Sequence, residues 1–251
     1  MEPRKDALQK KNLKMYLKVM PPQLCLSFSS RIVLRVLPLL AGGKHQPFWY
    51  WQPQEREKYL LAVLRGLLVG MVASTNIKKG DYYSEYAALD AVMGSSTSIY
   101  TRVALYASKI ANPTPSLCCN SAVYIAWDTT AYAFYAADEA MVTVYEDAIM
   151  EDFSLIASYY RHGCLPEDAI DPLEFLQRPL WPKNRFPSLL QPLWCDFYGW
   201  VKSLDSGCEI SLEWYLDRIK GKTLYVEKLN EQLEKINAKP WRTDIKSLML
   251  V

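Results

Sequence analysis

Six carboxylates crowd one stretch of the chain: Asp138, Glu139, Glu146, Asp147, Glu151 and Asp152. If the stretch is helical, Asp147 and Glu151, four residues apart, share a face. Paired carboxylates on facing helices can hold Mg²⁺, as in helical isoprenoid enzymes. Those enzymes need Asp-rich repeats on two helices, and this sequence has no second repeat. The pattern therefore favours a solvated or arginine-paired helix face. Asp138, Asp147 and Glu151 are the weak metal candidates, with no metal and no cofactor expected.

The other groups able to do chemistry are few. There are two histidines, His45 and His162. That argues against multi-histidine zinc and di-iron sites and makes histidine acid/base catalysis improbable. His162 and Cys164 are two residues apart in an expected loop, which is no evidence of contact. Arg161, His162 and Gly163 instead suit the cationic, glycine-terminated end of a helix. The six cysteines lie at 25, 118, 119, 164, 195 and 208, with no C-x-x-C pair. They read as reduced, mostly buried thiols of a cytoplasmic protein. No phosphate-binding glycine loop, G-x-S-x-G or H-E-x-x-H is present, which lowers the odds of an enzyme without excluding one.

Aromatic residues offer a different use. Trp181, Trp194, Trp200, Trp214 and Trp241 fit a core better than a stacking platform for nucleic acid. Phe48, Trp49, Tyr50 and Trp51 are another matter, because they fall in an expected Pro-containing loop at 44–54. Exposed aromatics are candidate contacts for a protein partner.

What must position these groups is a helical scaffold. The 251 residues are 50% hydrophobic, enough for a substantial core. The ten Gly and fifteen Pro exclude collagen-like and low-complexity classes. Net charge is +2, no signature of a general nucleic-acid binder. Its distribution is uneven: residues 1–80 carry a net +10 and residues 81–155 a net −8. A basic helical layer beside an acidic one accounts for this more simply than a basic face for an anionic partner. A weaker reading lays the basic N-terminal stretch on anionic lipid. The N-terminus shows no signal-peptide pattern. Residues 24–41 carry Arg31 and Arg35, and residues 59–72 carry Arg65; neither stretch has the roughly 20 apolar residues of a membrane span.

Apolar spacing is helical almost throughout. Leu24–Leu40 is expected as a helix, with Arg31 and Arg35 on one face and Pro38 and Gly42-Gly43 closing it. Glu55 to about Ala73 follows, then two shorter helices between residues 82 and 110. Residues 121–160 form a long Ala- and Tyr-rich helix, with a break expected near 136–139. Ala126, Thr130, Ala133, Ala137, Ala140 and Val144 give it a stripe for close helix packing. Residues 161–187 contain five prolines and read as an irregular connection with a helical turn at Asp171–Gln177. Pro192 opens a helix with core face Leu193, Trp194, Phe197, Val201 and Leu204. Ser206 and Glu209 fit a capping box for the next, which buries Leu212, Tyr215, Leu216 and Ile219 and ends at Gly221. A last helix runs through Val226, Leu229, Leu233 and Ile236.

Four of these pieces form a pattern together. They are Arg31-Ile-Val-Leu-Arg35-Val-Leu-Pro38-Leu-Leu, the Ala/Tyr-rich centre, Leu180-Trp181-Pro182, and Leu212-Glu-Trp214-Tyr215-Leu-Asp217-Arg218-Ile-Lys-Gly221. Across residues 20–221 the set resembles a loosely defined group of bacterial Ala-rich helical proteins with a C-terminal W-Y-x-D-R-hydrophobic-x-G motif. This chain has fewer alanines and a Ser/Cys-rich approach at 116–121. The group has no assigned activity, so no catalytic residue is carried over. The resemblance implies a bacterial origin and an all-helical build.

The expectation is an all-α protein of about eight or nine helices in bundle-like packing, either one domain or two lobes. Its regions would be 1–160, a Pro-rich connection at 161–187, and 188–251. The leading function is a non-enzymatic protein-binding or regulatory protein, an immunity or accessory protein in bacterial conflict. It would have a protein partner, no specific nucleic acid and no transmembrane segment. The alternative is a helical enzyme using the acidic patch with Mg²⁺.

Overall fold

A computed structural model describes residues 15, 17, 20–40, 71–72, 74–75, 139–161, 170–203 and 209–223. Within these residues the chain is helical and has no strand. Five α-helices have defined bounds: α1 Pro22–Val36, α2 Glu139–Arg161, α3 Pro172–Gln177, α4 Gln191–Ser203 and α5 Glu209–Ile219. Short 3₁₀ turns lie at Leu37–Leu40, Pro182–Asn184 and Ser188–Leu190.

α1 begins where the sequence stiffens. Pro21 sits at the N-cap and Pro22 at the first helical position, where a missing N–H costs nothing. The expected helix over Leu24–Leu40 is in fact two pieces. The α-helix stops at Val36, and Leu37–Leu40 tightens into a 3₁₀ turn. Pro38 explains the change, since it cannot donate the bond that would continue the ladder. The Leu37 N–H closes the end on the Leu34 carbonyl. α1 is buried from Leu24 through Val36, polar residues included. A helix buried on all sides is a central element, not a surface one.

The other helices gather around it. α3 and α2 both pack on α1, and α4 packs on the turn Leu37–Leu40. Ser27 Oγ donates to the Pro172 carbonyl at 2.9 Å, tying α1 to the start of α3. α3 is the helical turn expected at 171–177. Its N-cap is Asp171, whose Oδ1 accepts from the Leu173 N–H at 3.0 Å. Met71, Val72, Ser74 and Thr75 are helical; the rest of the helix expected from Glu55 to about Ala73 lies outside the described residues.

In α4, Phe197 and Val201 are buried as expected, and Leu193 and Trp194 are half-buried. Trp200 joins the buried set, although the expected core face left it out. In α5, Leu212, Tyr215 and Ile219 are buried. Gly221 ends the helix in the left-handed region at φ 65°. The Lys222 N–H donates to the Asp217 carbonyl and the Gly221 N–H to the Arg218 carbonyl, the paired bonds of a Schellman motif. Gly221 also lies against the chain after α3. A Cβ there would sit 2.6 Å from the Pro179 backbone nitrogen. Beside this contact the Leu180 N–H donates to the Ile219 carbonyl at 3.2 Å.

Aromatic rings fill the space between α2, α4 and α5. Tyr145 lies 5.7 Å from Trp181, Trp181 lies 5.7 Å from Phe186, Phe186 lies 6.0 Å from Trp194, and Trp194 lies 5.3 Å from Tyr215. Trp181 and Trp200 are buried and Trp194 is half-buried, so these three belong to the core. Trp241 and the side chain of Trp214 lie outside the described residues. Of the thiols, Cys25 is buried. Cys195 is exposed because its α4 face points to solvent, and the other four cysteines lie outside the described residues.

Candidate functional site

The strongest polar chemistry is inside the protein. Arg31 and Arg35 are one helical turn apart on α1 and only 2% and 1% exposed. Asp152, from α2, is 5% exposed and faces both. Arg31 takes the carboxylate with a two-pronged grip: its Nε–H donates to Oδ2 at 2.8 Å and Nη2 to Oδ1 at 3.0 Å. Arg35 Nη1 lies 2.7 Å from Oδ2, so one carboxylate meets both guanidinium groups.

The two guanidinium groups also hold the chain that follows α3. Arg31 donates to the carbonyls of Phe175 at 3.3 Å, Arg178 at 2.6 Å and Pro179 at 2.8 Å. Arg35 Nε donates to the Leu180 carbonyl at 2.8 Å. These carbonyls lie at and just beyond the end of α3, where no further helical turn can use them. The flat faces are used as well. Arg31 lies 5.1 Å from the centre of the Phe175 ring and Arg35 5.9 Å from that of Trp181, within cation–π range.

Burial and charge compete here. Burial pushes the Asp152 carboxyl up, but Arg31 and then Arg35 outweigh it and hold the group below the usual carboxylate range. Burial is the largest influence on Arg35 and lowers it, against the opposing pull of Asp152. The nearby tyrosines shift the other way. Desolvation raises Tyr145, and it raises Tyr215 well above an ordinary phenol. Both are neutral near pH 7.

The sequence candidates fall apart from this cluster. Asp147 and Glu151 do share a face of α2, and both are exposed. Asp152, next to Glu151 in sequence, points inward and is arginine-paired. Of the described carboxylates of α2, Asp147 and Glu151 thus face solvent, Glu146 is half-buried and Asp152 lies in the core. Among the described residues, no group of three His, Cys, Asp or Glu is placed to hold a metal ion. Asp138 and the aromatic loop Phe48, Trp49, Tyr50 and Trp51 lie outside the described residues, as do His45, His162 and Cys164.

Sequence reasoning missed Asp152 as the partner of Arg31 and Arg35. A signal was available: two arginines one turn apart within R-I-V-L-R-V-L-P-L-L can be buried only if something pairs with them. Which of many carboxylates pairs is not a local property. Near the end of α5, Arg218 is 6% exposed, with Nη2 donating to the Thr223 carbonyl at 3.3 Å. Asp217 pairs instead with Lys222 at 2.7 Å on the surface.

Among the described residues, no helix is long and apolar enough to cross a membrane. No protein-family model, curated protein or solved structure matches the chain.

Proposed function

We propose that this chain is a non-enzymatic protein-binding or regulatory protein, one that works as an immunity or accessory protein in the bacterial cytoplasm. One observation carries the reading. The buried carboxylate of the acidic helix is Asp152, and it is committed to Arg31 and Arg35. A carboxylate held by two arginines and kept below its usual pKa is a poor general acid or base at neutral pH. Its work is cohesion: it joins α1, α2 and the chain after α3. Phe48, Trp49, Tyr50 and Trp51 are the candidate contacts for the partner. About eight or nine helices remain the expected total for the full chain.

The test is native mass spectrometry of the protein purified gently from its host, with wild type beside a Trp49→Ala/Trp51→Ala variant. A heavier complex with wild type that is lost in the folded variant supports the reading. An unchanged partner set removes the aromatic loop from it, and a bare 28.9 kDa chain in both samples counts against a stable partner. The competing enzyme reading rests on Asp147 and Glu151, which share an exposed face of α2. It requires millimolar Mg²⁺ to raise the melting temperature and Asp147→Asn to remove that rise.

A further inference from the structure

We draw no further inference here: the strongest candidate, the buried Arg218 side chain near the end of α5, whose Nε and Nη1 have no hydrogen-bond partner among the described residues, is a single side chain, and nothing in the structure shows what covers it.

Discussion

The two sides of α2 use the same chemical group in opposite ways. Asp147 and Glu151 face water, and Asp152 faces Arg31 and Arg35 in the core. One residue of helix advance, about 100°, separates Glu151 from Asp152. A carboxylate in water is screened, and its pairing contributes little. A carboxylate in the core is surrounded by groups that have given up their own hydration, so its removal strands them. A count of acidic residues therefore says little about their work; the face each occupies decides it.

The largest expected effect comes from the inner side. Asp152→Ala leaves two buried guanidinium groups without their counter-charge and should cost about 3–5 kcal/mol, measured by urea unfolding at pH 7. The pH dependence sharpens the same point. The folded Asp152 pKa lies below its unfolded value, so its contribution is fully present above the unfolded pKa of about 3.9. It is lost as pH falls through the lower folded pKa. Unfolding curves from pH 7 down to pH 2 should show a loss of stability in the acid range that Asp152→Ala lacks. Equal slopes in both proteins would end the distinction between the two faces.

Gly221→Ala tests a different tertiary constraint and should cost about 2–3 kcal/mol in the same assay. It combines left-handed backbone with a Cβ forced against Pro179. A cost near zero would mean that the chain after α3 yields easily and that the arginine clamp on it is loose. Asp171→Ala removes only a local N-cap bond and should cost about 1 kcal/mol by thermal melt. The smallest effect belongs to the outer side of α2. Asp147→Asn with Glu151→Gln should shift stability by less than about 0.5 kcal/mol in the absence of metal. A loss approaching that of Asp152→Ala would show that the outer carboxylates also have structural partners.

Local features were legible because they need only neighbours in sequence. Pro21-Pro22 marks the start of α1, Asp171-Pro172 the start of α3, and Gly221 the end of α5. Leu212, Tyr215 and Ile219 show their shared face through helical spacing. The end of α1 was only half legible. Pro38 announced a break, but the 3₁₀ turn that follows Val36 and the packing of α4 against it are seen only in the structure. Trp200 escaped the expected α4 face because that helix is contacted from more than one side.

The candidate site was harder to read for the same physical reason. Arg31 and Arg35 stand out as charges four apart in an apolar stretch, which follows from helix geometry alone. Their partner lies 121 positions beyond Arg31, and their carbonyl acceptors occur at a helix end whose exposure to the arginines is set by packing. The sequence by itself determined the helical character, the starts of α1 and α3, the stop of α5, and the presence of two cations needing compensation. Only the tertiary structure decided that Asp152, and not its neighbour Glu151, compensates them. Pairing energy depends on distance and dielectric, and both are fixed only when α1, α2 and the chain after α3 have come together.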